Sequence, residues 1–143
     1  MNILLIEDSQ TCAEIFFAYA RTLQNGKRWT IDHVTHLSHL RHWTGFDVIV
    51  TDLSLPDSSA KETVAWIGEA TKFVPVIVLS GNPDKTIIDA CLEAGAVGFL
   101  SKDSLSTTQI ATTLRTAVQL SSRSELQKRL NRLEAVCEEK GLT

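Results

Sequence analysis

The sequence predicts an α/β fold, a parallel sheet with helices on both faces. Short apolar runs recur at residues 2–6, 46–51, 76–79 and 98–101, each mostly β-branched or aliphatic and bounded by polar residues. These runs are apolar nearly throughout instead of alternating, as expected of strands buried on both faces. The stretches between them are helix-length and amphipathic, so strand and helix alternate along the chain. Parallel strands bring their carboxyl ends to one edge, where open α/β sheets place their ligands.

Taken in order, the elements form five strand-helix units. After the strand at 2–6, a helix over 9–23 presents Ala13, Ile15, Phe16, Tyr19 and Leu23 on one face and stops at Asn25-Gly26. A second strand follows at 29–34. A short helix near 37–43 leads to the strand before Asp52, and another near 61–71 leads to the strand before Ser80. Pro83-Asp84 starts a helix that ends at Gly95, where glycine suits a left-handed cap. The strand at 98–101 and a helix over 105–120 complete the set, and the sequence shows neither an internal repeat nor a low-complexity tract.

Composition narrows the function classes. A chain of 143 residues is one domain with a real core and room for a helical appendix. Its net charge of −3 does not suggest a nucleic-acid-binding surface. No apolar run approaches the roughly 20 residues of a membrane span, and Met1-Asn2-Ile3 lacks a basic signal-peptide head, so the expected compartment is the cytoplasm. Cys12, Cys91 and Cys137 are odd in number and without metal-type spacing, which reads as reduced thiols.

Five polar side chains fall at or just past the strand ends: Glu7, Asp8, Asp52, Ser80 and Lys102. Carboxylates gathered in one crevice repel, by about 4 kcal/mol for a pair at ~4 Å and an effective dielectric near 20. Either a pKa rises or a cation binds. An all-oxygen donor set suits Mg2+, a hard octahedral ion that keeps several waters. Asp52 holds the middle of the edge, where a phosphoryl group would meet both the metal and the lysine. A carboxylate can attack phosphorus to give an acyl phosphate, with Mg2+ and Lys102 neutralising charge and Ser80 donating a hydrogen bond.

At these residues the chain resembles the CheY-like receiver domains of two-component response regulators. The resemblance rests on Glu7-Asp8, the segment 47–56 around Asp52, Ser80-Gly81, and the segment 95–102 ending in Lys102, in the family's order and approximate spacing. It implies a flavodoxin-like, doubly wound (βα)5 sheet in the order 2-1-3-4-5 over residues 1–121, with 122–143 a C-terminal helical extension. It implies Asp52 as phosphoacceptor, and Asp8, Asp52 and the backbone carbonyl of Ser54 as direct magnesium ligands, with Glu7 acting through water. Lys102 would contact the phosphoryl group. Ser80 and Phe99 would be the switch pair, coupling the site to the surface made by the helix after Ser80, the last strand and the helix that follows it. Ser54 and Asn82 occupy the positions that set phosphoryl lifetime. The implied partner is a histidine kinase or a histidine phosphotransfer protein, and such a domain is a phosphoacceptor with self-catalysed phosphorylation and dephosphorylation, not an enzyme in the ordinary sense.

Two positions depart from the family pattern. Asp103 follows Lys102 where proline is frequent, which puts the cis peptide associated with that proline in doubt. Ala60 stands where glycine is usual. Rival functions remain open. A magnesium-dependent phosphohydrolase would need a second aspartate at the position of Ser54, a flavin domain would need a phosphate-binding loop where Glu7-Asp8 stand, and a phosphorylation-independent scaffold would not need Asp52.

Two further patterns stand apart from the site. His33, His36, His39 and His42 recur every three residues, which raises zinc or pH sensing, although a polar surface is the favoured reading. In the tail, Leu126, Leu130, Leu133 and Cys137 follow a 4-3-4 spacing that fits d-a-d-a of a coiled coil, with Arg123 on the preceding a position. Ser122 to Glu125 or Ser124 to Gln127 could form a capping box that starts a separate helix, and Gly141 would close it. The tail either extends the last helix, dimerises, or folds back. No DNA-binding output domain is expected within these residues, and the chain is either a single-domain regulator or the amino-terminal piece of a longer one.

Overall fold

The computed structural model describes residues 1–22, 29–37, 45–55, 59–81 and 84–139. Strands β1 (Asn2–Ile6), β2 (Thr30–Val34), β3 (Val48–Asp52), β4 (Val76–Ser80) and β5 (Gly98–Ser101) form one parallel sheet. Their order is β2-β1-β3-β4-β5, as the resemblance implies. Helices α1 (Gln10–Thr22), α2 (Ala60–Ala70), α3 (Lys85–Ala94) and α4 (Thr107–Glu139) complete the described elements.

Alternation along the strands builds two cores. Ile3, Leu5, Val48, Val50, Ile77 and Leu79 face one side, where Phe16 and Ala20 of α1 and Ile110, Leu114 and Ala117 of α4 close over them. Leu4, Ile6, Ile49, Val76 and Val78 face the other, under Ile67 and Ala70 of α2 and Cys91 of α3. Each such buried aliphatic side chain contributes roughly 1.5–3 kcal/mol relative to exposure, which is why the central strands carry so few polar residues.

Local chemistry fixes the helix ends. The Glu62 N–H donates to Ser59 Oγ at 3.2 Å while Ser59 Oγ donates to Glu62 Oε1 at 3.0 Å, so Ser59 is the N-cap that starts α2. Asp84 caps α3 by accepting from the Thr86 N–H at 3.1 Å. Gly95 closes α3 at φ 114°, a left-handed conformation that glycine adopts without strain. Gly98 is needed for a different reason, since a Cβ there would lie 2.8 Å from Thr113 Cγ2 of α4.

The tail departs from one expectation. α4 runs unbroken from Thr107 to Glu139, so it neither ends near Leu120 nor restarts at a capping box on Ser122 or Ser124. Those serines lie inside a stretch that has no glycine or proline to stop the helix, and serine costs little in a helix interior. The folded-back arrangement is overturned too, because Leu126, Gln127 and residues 129–135 are all exposed.

The peptide between Lys102 and Asp103 is trans, and Lys102–Ser104 form a single 3-10 turn. Cys12 and Cys91 are free thiols, Cys91 buried. No helix among the described residues is long and apolar enough to cross a membrane. The expected short helix near 37–43 with His39 and His42, the Asn25-Gly26 stop, Pro83, Asn82 and Gly141 lie outside the described residues.

Candidate functional site

The carboxyl ends of β1 and β3 place the acidic residues. β1 stops at Ile6, and the next N–H, that of Glu7, donates to the Val34 carbonyl at 3.0 Å, so Glu7 is held against the end of β2. Its side chain turns beneath the edge and is fully buried, whereas Asp8 is exposed. Asp52 closes β3 and is 2 % exposed. Carboxylate oxygens of Glu7, Asp8 and Asp52 all lie within 4.8 Å of one another.

Lys102, just after β5, reaches across this group. Its Nζ donates to Asp52 Oδ2 at 3.0 Å and to Glu7 Oε1 at 3.1 Å. The other Glu7 oxygen, Oε2, sits 2.9 Å from Nζ as an ion-pair contact, yet it is buried and accepts no hydrogen bond. Asp52 Oδ1 accepts from the Ser54 N–H at 3.1 Å, so both oxygens of Asp52 are held and the carboxylate plane is fixed. Glu7 Oε1 also accepts from the Ser9 N–H at 3.0 Å.

The charges do not balance, and Glu7 and Lys102 are both displaced from their ordinary pKa values. Burial is the largest effect on Glu7 and, with Asp52 repelling, raises it from 4.5 to about 7 against the opposing pull of Lys102 and the Ser9 N–H. Burial alone would lower Lys102, but its hydrogen bonds and charge contacts with Glu7 and Asp52 outweigh that and hold it above its ordinary value. One lysine is too little cation for three carboxylates. An unsatisfied buried oxygen, three converging carboxylates and only oxygen donors fit a hard divalent cation.

The remaining expected residues take the following places. Ser80 ends β4, nearly buried, and Gly81 runs past the lysine stem, where an added Cβ would lie 3.6 Å from Lys102 Cδ. Ser54 is exposed, and its backbone contacts Asp52. Phe99 on β5 pairs with Val78 and is half-buried against the cluster under α2 and α3.

His33 is half-buried instead of lying on a polar surface: its Nε2 lies 2.7 Å from the Glu7 carbonyl oxygen, to which it can only donate, and its ring meets Phe17 edge-on with centroids 5.8 Å apart. The only signal in the sequence is that His33 is the second-last residue of β2, beside the end of β1. His36 shares a 2.7 Å contact with Thr35 Oγ1, and among the described residues the histidines join no metal-type cluster.

Residues 3–115 match the family model described as "Response regulator receiver domain". The chain is a receiver domain of that family. Receiver domains serve two-component signalling as phosphoacceptors and are generally not turnover enzymes. Among similar proteins, the two-component response regulator ARR3 of Arabidopsis thaliana is 43% identical over 58 residues, 39% of this chain and 25% of that protein. The transcriptional regulatory protein FixJ of Rhizobium meliloti (strain 1021) is 30% identical over 102 residues, 71% of this chain and 39% of FixJ. The chain therefore spans about a quarter to two fifths of these relatives. The receiver domain of the sensor histidine kinase PA1611 from Pseudomonas aeruginosa PAO1 superposes with a TM-score of 0.63 at 23% identity, covering 82% of this chain and 97% of that one. That structure has a magnesium ion coordinated in its active-site cleft.

Proposed function

We propose that this receiver takes a phosphoryl group onto Asp52 from a histidine kinase or a histidine phosphotransfer protein in the cytoplasm. One observation carries the reading: Asp52, fixed through both oxygens, shares its crevice with two other carboxylates and the single ammonium of Lys102. An oxygen of Asp52 attacks phosphorus, the O–P bond forms as the donor's P–N bond breaks, and the imidazole nitrogen keeps the electron pair. Positioning dominates such a transfer, and the Ser54 N–H and Lys102 supply it by holding the nucleophile still. Lys102 then turns a donor toward the new phosphoryl oxygens, and the Ser80 hydroxyl supplies another.

Asp8, Asp52 and the Ser54 carbonyl are the direct ligands proposed for Mg2+, with Glu7 acting through water. Held by these residues, a magnesium ion would supply screening of the carboxylates and neutralisation of charge on the transferring group. Loss of the phosphoryl group is self-catalysed hydrolysis, with Ser54 and Asn82 at the sequence positions that set its rate. Movement of the Ser80 hydroxyl toward the new charge is coupled to Phe99, and through it to the face formed by α3, β5 and α4.

Intact mass after incubation with acetyl phosphate and magnesium tests the proposal. Wild type should gain one phosphoryl group and Asp52→Ala none. A gain retained in Asp52→Ala would refute the acceptor assignment. Partner binding unchanged in that variant would favour a phosphorylation-independent scaffold, and steady turnover of phosphate esters would favour a phosphohydrolase.

A further inference from the structure

The face of α4 that packs on the sheet and the leucine stripe of its tail point in opposite directions. Ile110, Leu114 and Ala117 are buried under the sheet, whereas Leu126, Leu130 and Leu133 are 57 %, 52 % and 62 % exposed. At about 100° per residue, the nine residues from Ala117 to Leu126 rotate the helix by roughly half a turn net. The stripe therefore does not continue the seam that holds the receiver, and among the described residues nothing covers it.

We propose that this stripe pairs with the same stripe of a second copy as a parallel two-stranded coiled coil, with both receivers on the outside of the stalk. The heptad that places Leu126 and Leu133 at d and Leu130 at a puts Arg129 at g and Glu134 at the following e. In a parallel pair, g of one helix faces the next e of the other, so Arg129 of each copy meets Glu134 of its partner copy, twice by symmetry. Five residues apart, the two side chains sit on opposite flanks of the stripe and do not meet within one helix. In the antiparallel pair g faces g and e faces e, and Arg129 gains no carboxylate. The seam is short, about two heptads, but its helix is already formed and anchored by the core-facing half of α4, so pairing does not bear the cost of helix nucleation. The polar residues Thr112, Arg115 and Gln119 lie on the stripe's side of α4 within the receiver, which confines the apolar seam to the tail. Assembly through the tail leaves the edge carrying Asp52 open to a phosphoryl donor.

Sedimentation or light scattering of the full chain over a concentration series, without magnesium or phosphoryl donor, tests this independently of the acceptor role of Asp52. A dimer is expected that Leu130→Asp weakens at least tenfold, with circular dichroism confirming a folded receiver. Arg129→Glu and Glu134→Arg should each weaken self-association, and mixing the two variants should restore a heterodimer. Cys137, at the next a position, should give a disulfide-linked dimer on mild oxidation, and Cys137→Ser should not. A monomer throughout, or a dimer indifferent to Leu130→Asp, overturns the stalk. A dimer without the Cys137 cross-link or the charge-swap rescue overturns the parallel orientation.

Discussion

The carboxyl edge of the sheet and the distal half of α4 break the usual partition of polar and apolar groups in opposite senses. At the edge, Glu7 is fully buried and Asp52 nearly so, and among the described residues Lys102 alone pairs with them. On the tail, three leucines lie more than half exposed. Buried charge without full compensation is costly, and a row of exposed large aliphatics on one stripe is unusual for a free helix. Both regions are incomplete in the isolated chain, one toward a cation and a phosphoryl group, the other toward apolar surface. They differ in how the incompleteness is stored. The edge stores it as shifted titration, so pH and metal report on it, whereas the tail stores it as uncovered area, so protein concentration does.

Experiments can break this comparison from either side. The largest effect expected is complete loss of phosphoryl gain in Asp52→Ala, read by intact mass, with tail-mediated association untouched. Next, Lys102→Ala should keep the fold but lose most phosphorylation-dependent signalling, measured as partner binding with and without acetyl phosphate. A normal response would separate charge neutralisation from switching.

A smaller effect concerns the charge on Glu7. Because its folded pKa is raised, about 7 against 4.5, its contribution to stability is fully present below pH 4.5 and is lost as pH rises through about 7. The size is about 3.5 kcal/mol at most, from roughly 1.4 kcal/mol per pKa unit. Metal-free wild type should therefore show a falling contribution across that window in urea titrations. Glu7→Gln, which resembles the protonated acid, should be more stable than wild type at pH 8 and show a flatter profile. A magnesium ion held with Glu7 as proposed would compete with the proton there, so apparent affinity in calorimetry should rise with pH up to about 7 and then level. An unchanged affinity would remove Glu7 from the metal site. The smallest effect is expected from deleting residues 122–143, the proposed extension. The receiver's unfolding free energy at low concentration, from urea titration, should move by no more than surface changes do, within about 0.5 kcal/mol.

Much of the edge was legible in the sequence because strand ends are local features. Each apolar run declares where its strand stops, and one parallel sheet then brings Glu7, Asp8, Asp52, Ser80 and Lys102 to one side without any knowledge of loops. The cap at Gly95 was legible too, since a left-handed residue is a local demand. The depth of Glu7 and the His33 contact were not. Both depend on β2 lying beside β1 in a register that pairs Leu5 with His33, a relation between residues far apart in the chain.

The tail shows the same division. Heptad spacing determined that Leu126, Leu130 and Leu133 share one face, because 3.6 residues per turn is a property of any helix. Whether that helix restarted at Ser122, folded back, or continued from the receiver was a question of tertiary structure, and an unbroken α4 answered it. By itself, then, the sequence determined which residues end strands, which faces are apolar and which chemistry the strand ends could carry. Only the tertiary structure decided which carboxylate is buried, which ammonium holds it and which way the leucines face, because burial and charge coupling depend on distances between elements that local patterns do not encode.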